Sequence, residues 1–157
     1  MVIELIVVGK TTARYLEEGI DEYLARLKHY TKFTYTVIPE LKNAKSLREN
    51  QIKEAEGELI LAKIATSDRL VLLDDKGMKP TSEKMAEWLQ EAMNRATRKM
   101  VFAVGGAYGF SERVYDRADE KLSLSPLTFS HQMVRLIFLE QVYRSFTILS
   151  NEPYHHR

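Results

Sequence analysis

MVFAVGGAYGF, residues 100–110, joins five consecutive apolar residues to a glycine-rich turn. An apolar run with no polar alternation suits a strand covered on both faces, as in a parallel sheet, and the glycines end it. Working back from this stretch, Thr81 or Ser82 can cap a helix carrying Met85, Trp88, Leu89 and Met93. Before it, Leu70 to Leu73 reads as a short strand stopped by the turn formers Asp74, Asp75, Lys76 and Gly77. Residues 46–65 suit a helix that Ser46 could cap, with Ile52, Ala55, Leu59 and Ala62 as its apolar positions. Phe33 to Ile38 reads as a strand near a sheet edge, since it stops at Pro39, which has no N–H to donate. Residues 12–30 carry Tyr15, Leu16, Ile20, Tyr23, Leu24 and Leu27 at helical spacing, and Val2 to Val8 is a buried strand closed by Gly9.

Strand and helix therefore alternate three times before residue 105, which predicts an α/β fold, a mostly parallel sheet flanked by helices. Downstream, a short helix near Ser111 to Ala118 is expected. The proline-containing segment LSLSPLTFS, residues 122–130, then leads into a long apolar helix over 129–149. No repeat or linker divides the chain, and 157 residues suit one domain that needs no staples.

Composition narrows the chemistry. The absence of cysteine excludes disulfides, thiolate metal ligands and cysteine nucleophiles, and fits a reducing compartment. Twenty-three Lys and Arg against twenty-two Asp and Glu provide no overall attraction for a polyanion, so any nucleic-acid contact must rest on a local patch or on two subunits. The opening MVIELIVVGK has no basic leader and no small-residue cleavage site, and no apolar run approaches the roughly 20 residues a membrane span needs. A soluble, non-membrane protein is expected.

In open α/β folds ligands bind at the carboxyl ends of the strands, where backbone donors and helix N-termini converge. Gly9, Gly77 and the turn 104–110 all fall at such ends. Gly105, Gly106 and Gly109 would let a ligand approach the backbone, although a tight strand-to-helix turn needs the same glycines. The pattern is not G-x-G-x-x-G and follows a late strand, which disfavours a dinucleotide. Among the last thirty residues, His131 shares a helical face with Arg135, and Glu140 can pair with Arg144. Spacing alone favours the simpler reading of an N-terminal histidine and an interface ion pair. The long helix is apolar on more than one stripe, which predicts cover from its own sheet and from a second subunit. The ending NEPYHHR, with Tyr154, His155, His156 and Arg157, suits base stacking and phosphate contact, or a frayed end.

VVGK at 7–10, LLDDKG at 72–77, VGGAYGF at 104–110, LSLSPLTFSHQMVRLIFLEQVYR at 122–144 and PYHHR at 153–157 follow one pattern in order and spacing. In these motifs, over essentially its whole length, the chain resembles the bacterial large-subunit ribosomal RNA pseudouridine N3-methyltransferases of the SPOUT class. The resemblance implies a C-terminal trefoil knot from about residue 70 onward, a cytoplasmic homodimer, and S-adenosyl-L-methionine held in the knot without a metal. It carries cofactor contacts onto Leu73, Gly105, Gly106, Leu124, Ser125, Pro126, Leu127, Thr128 and Phe129. Catalytic and RNA-contacting roles fall on His131, Arg135, Arg144, Tyr154 and His155, contributed across the dimer. Related knot folds serve other RNA bases, and a dimer that binds RNA without catalysis would share the glycine turns. Two positions depart from the pattern. Pro126 stands where alanine or lysine is expected and removes a backbone donor, and Ser130 stands where proline is expected.

Overall fold

The computed structural model describes residues 1–156; Arg157, grouped above with the tail, lies outside the described residues. In chain order the elements are β1 (Val2–Val8), α1 (Arg14–Leu27), β2 (Lys32–Ile38), α2 (Glu49–Leu61), β3 (Arg69–Met78), α3 (Ser82–Asn94), β4 (Lys99–Val104), α4 (Glu112–Arg117), β5 (Glu120–Leu122) and α5 (Met133–Leu149). A 3₁₀ turn over Ala44–Ser46 precedes α2. The strands form one sheet in the order β2-β1-β4-β3-β5, and every neighbouring pair is parallel. β2 takes an edge, as expected for a strand that stops at Pro39.

The alternation of side chains along each strand divides the core into two layers. Ile3, Leu5, Val7, Val71, Met100 and Phe102 face α1, α3 and α5, whereas Ile6, Val8, Leu70, Leu72, Val101 and Ala103 face α2 and α4. Phe102 has no exposed surface and lies with ring centroids 6.0 Å from Trp88 and 4.7 Å from Phe138. Burial of such a side chain contributes roughly 1.5–3 kcal/mol. α5 lies against both α1 and α3. At the first contact a Cβ on Gly19 would come within 2.9 Å of the Leu136 side chain, so glycine permits the close approach.

Local chemistry sets the element ends. Thr81 Oγ1 accepts from Lys84 N, and Ser111 Oγ accepts from Val114 N, so both helices start at side-chain caps. Ser46 does not cap α2. That helix begins three residues later, where the Gln51 side chain accepts from Arg48 N, because Ser46 ends the 3₁₀ turn and its hydroxyl donates to Asn43 O. The ladder between β3 and β5 shifts so that Leu73 and Met78 both face Leu122; the turn formers Asp74 to Gly77 are thus an irregularity within β3 rather than its end. Gly77 is required there, because a Cβ would lie 2.5 Å from Leu122 N and 2.7 Å from Lys121 O.

β5 was not legible in the sequence: three residues, Glu-Lys-Leu, carry no periodicity. The strand is fixed by long-range contacts, with Leu70 N donating to Asp119 Oδ2 at 2.8 Å and Arg69 gripping Glu120 through two bonds of 2.7 and 2.8 Å. α5 also starts four residues later than its apolar pattern suggests, because residues 129–132 are drawn into the crossing described next.

Candidate active site at the carboxyl edge of the sheet

β5 lies at one edge of the sheet, yet α5 begins at the carboxyl end of β1, two strands further in than β3. Residues 123–132 must therefore cross the carboxyl ends of β3 and β4. Hydrogen bonds hold both ends of the crossing. Ser123 N donates to Met78 O at 2.8 Å. At the far end Gln132 Nε2 donates to Lys10 O at 3.2 Å, and Gln132 Oε1 accepts from Thr12 N at 3.0 Å. Within the crossing, Ser125 Oγ accepts from Leu127 N, and Ser130 Oγ accepts from Met133 N at 3.1 Å. Ser130, one of the two departures from the family pattern, thereby satisfies an orphan donor at the start of α5.

Beneath the crossing lies a cavity of about 500 Å³, in the size range of a small-ligand site. Its walls include Leu73, Gly105, Gly106, Leu124, Ser125, Leu127, Thr128 and Phe129. Pro126 alone of the residues expected at the cofactor does not line it; it is exposed, and its ring stands outside the cavity. The glycine turn folds on itself, with Gly109 N donating to Gly106 O at 3.1 Å and Gly109 in the left-handed region at φ +84°. Asp74 and Tyr115 also line the cavity and hydrogen-bond each other, the phenol donating. Burial pushes the pKa of the Asp74 carboxyl up, but the bonds from Tyr115 and from the Lys76 backbone, with Asp75 and the Lys121 charge, outweigh it and hold the pKa below its ordinary value. Neither residue was singled out in the sequence. The available signal was a carboxylate at the carboxyl end of a strand, masked by its place in a turn motif.

His131 lines the same cavity. Burial, and then the neighbouring Arg135 guanidinium, lowers its pKa from the ordinary value and favours the neutral ring. Arg135 has no exposed surface. Its guanidinium donates to Val8 O and Gly9 O at 2.8 Å each, to Thr11 Oγ1 at 3.2 Å and to His131 O at 3.1 Å. Arg135, expected in a catalytic or RNA-contacting role, is buried in this chain and clamps the end of β1 to the start of α5, since buried strand-end carbonyls need donors.

Arg144, Tyr154 and His155 form a second group on α1, α3 and α5, and none of them lines the cavity of their own chain. Arg144 grips Glu140 through two donors, and its NH1 lies 3.1 Å from His155 Nδ1. His155 Nε2 lies 3.0 Å from Glu83 Oε1. A guanidinium can only donate, so Nδ1 is the acceptor and Nε2 carries the proton toward Glu83. Tyr154 donates to Glu140 at 3.1 Å and lies under the Arg144 guanidinium, 4.8 Å from ring centroid to Cζ. Asn151, with φ +56°, turns the tail back onto the helix, and Glu152 N donates to Thr147 O. The tail is docked by side chains rather than frayed.

A family model described as "Predicted SPOUT methyltransferase" matches residues 1–155. The chain belongs to the SPOUT methyltransferases. It is similar to proteins named ribosomal RNA large subunit methyltransferase H. The one from Parabacteroides distasonis is 57% identical over 156 residues, 99% of each chain. That from Christiangramia forsetii is 55% identical, and that from Flavobacterium johnsoniae 54%, each over 157 residues and the full length of both chains. The parallel five-stranded sheet is consistent with the SPOUT fold. Among the described residues, no helix of this SPOUT methyltransferase is long and apolar enough to cross a membrane, and no cluster of three His, Cys, Asp or Glu side chains is placed to hold a metal.

Proposed function

We propose that this SPOUT methyltransferase takes a methyl group from S-adenosyl-L-methionine and transfers it to N3 of a pseudouridine in large-subunit ribosomal RNA, in the cytoplasm and on the assembled ribosome. The observation that carries this reading is the cavity enclosed between the glycine turn and the crossing segment. Its residues fit the cofactor: Leu73, Leu124 and Phe129 offer apolar walls for a purine, Gly105 and Gly106 admit a ligand against the backbone, and the Asp74 carboxylate suits hydroxyl or ammonium groups. The names of the relatives support an RNA acceptor, and pseudouridine follows from the resemblance of the chain to the pseudouridine N3-methyltransferases alone.

The sulfonium of the bound cofactor supplies an electrophilic methyl group that needs no metal. The work left to the protein is positioning and removal of the imide proton. His131 is suited to the second task, since its environment favours the neutral ring that can accept a proton. Arg144, Tyr154 and His155 lie apart from their own chain's cavity, which favours a homodimer in which each tail serves the partner's cavity. A trefoil knot, threaded over roughly residues 70–157, accords with a crossing that passes over two strands before α5 begins.

The test is methyl transfer from labelled S-adenosyl-L-methionine to ribosomes and to isolated ribosomal RNA from a strain lacking the gene, with the label mapped to a nucleotide. Label on one large-subunit pseudouridine is expected; label on another base, or none with the cofactor demonstrably bound, rejects the assigned acceptor.

A further inference from the structure

A second cavity, about 340 Å³, adjoins the first, and Gly106, Ala107 and His131 line both. Its other walls include Glu40, Glu56, Lys45 and Tyr108. The partly buried side chain of Glu56 makes no hydrogen bond or ion pair with any described residue, and its Oε1 is sealed from solvent without a partner. Such a group is costly to leave unmade, so it points to a ligand that completes it. It lies directly beneath the glycine turn: a Cβ on Gly106 would come within 2.7 Å of both carboxyl oxygens.

We propose that this cavity receives the flipped target base, and that Glu56 distinguishes pseudouridine from uridine by hydrogen-bonding the N1–H edge of the ring. The proposal rests on the pseudouridine reading above. Uridine is joined to its ribose through N1 and has no hydrogen there. Pseudouridine is joined through carbon, which leaves N1–H as an added donor beside the C2 carbonyl. A carboxyl oxygen of Glu56 accepts from N1–H, a donor that uridine lacks. N3 lies two ring positions from N1, so a ring held at Glu56 can turn N3 toward the shared wall and the first cavity.

The remaining walls supply what a single-stranded base pocket combines, a stacking face and a cation. Tyr108 is 48% exposed and offers the ring. Lys45, on the 3₁₀ turn before α2, is exposed and makes no ion pair with any described residue, so it is available to a phosphate. The rival occupant is the cofactor's ammonium group. The cavity volume greatly exceeds what an ammonium needs.

The experiment compares wild type, Glu56→Ala and Glu56→Gln on two ribosome preparations, one with pseudouridine at the target and one from a strain lacking the corresponding pseudouridine synthase. S-adenosyl-L-methionine affinity is measured alongside. Wild type is expected to favour pseudouridine by about ten- to a hundred-fold, the effect of one buried hydrogen bond left unmade. Glu56→Ala is expected to reduce transfer to pseudouridine toward the uridine rate, with the uridine rate and cofactor affinity changed less than two-fold. Glu56→Gln, which keeps an acceptor and a donor, retains most of the preference. Weakened cofactor binding in Glu56→Ala would assign the site to the ammonium and overturn the proposal. A preference unchanged in Glu56→Ala, equal losses on both substrates, or no preference in wild type would also overturn it. Wild type that binds the cofactor but labels neither preparation rejects the proposed acceptor itself, a separate result.

Discussion

Arg135 illustrates how much one side chain organises at the active edge. It satisfies the carbonyls of Val8 and Gly9 and holds the backbone of His131, so it fixes the relative position of β1 and the histidine that lines both cavities. Arg135→Met leaves those carbonyls without partners in a dry site and is expected to cost about 2–4 kcal/mol in denaturant unfolding. Arg135→Lys should rescue little, because an ammonium cannot reproduce the planar fork. His131 itself gives a pH signature. Its folded pKa lies below the ordinary value of 6.5, so the unfolded chain binds the proton more readily. The associated stability is fully present above about pH 6.5 and is lost as the pH falls from there toward the folded pKa. Wild type should therefore lose stability more steeply than His131→Gln as the pH falls below about 6.5; coincident slopes would show that the ring is not buried as described.

At the scale of elements, the strand ends decide the site. The shifted end of the β3–β5 ladder, where Met78 meets Leu122, depends on Gly77, which lets the backbones of Lys121 and Leu122 come within 2.5–2.7 Å of where a Cβ would stand. Gly77→Ala should cost about 1–3 kcal/mol in thermal unfolding and weaken cofactor binding, since the crossing segment starts from β5. A variant that loses stability but binds the cofactor normally would separate the strand from the cavity. The same elements show what a sequence discloses. β1 and β4 were legible because continuous apolar runs have one economical solution, a parallel strand covered on both faces. α1 and α3 were legible from helical spacing, and a hydroxyl cap for α3 at Thr81 or Ser82 from its chemistry. β5 was not, because its stability lies in Asp119, Glu120 and Arg69, far apart in sequence. At the site, the glycine turn and the segment 124–129 were recognisable as motifs. The inward turn of Arg135, the outward ring of Pro126, and Asp74 and Glu56 as cavity walls depend on distances that periodicity does not encode.

Over the whole molecule the residues of the proposed reaction form two groups: His131 with the cavity, and Arg144, Tyr154 and His155 on the surface formed by α1, α3 and α5. If each tail completes the partner's cavity, the unit of activity is a pair of chains, and sedimentation should give a mass of two. The sharper consequence is complementation. Take one variant with a blocked cavity, Gly105→Trp, and another with an altered tail, Tyr154→Ala with His155→Ala; each alone should be nearly inactive. After unfolding and refolding together in equal amounts, about half the dimers are mixed by chance, and each mixed dimer of two-fold arrangement holds one site with both parts intact. Activity should return to about a quarter of the wild-type value per site. Sites built within single chains would give no recovery, because no chain in the mixture carries both an open cavity and an intact tail.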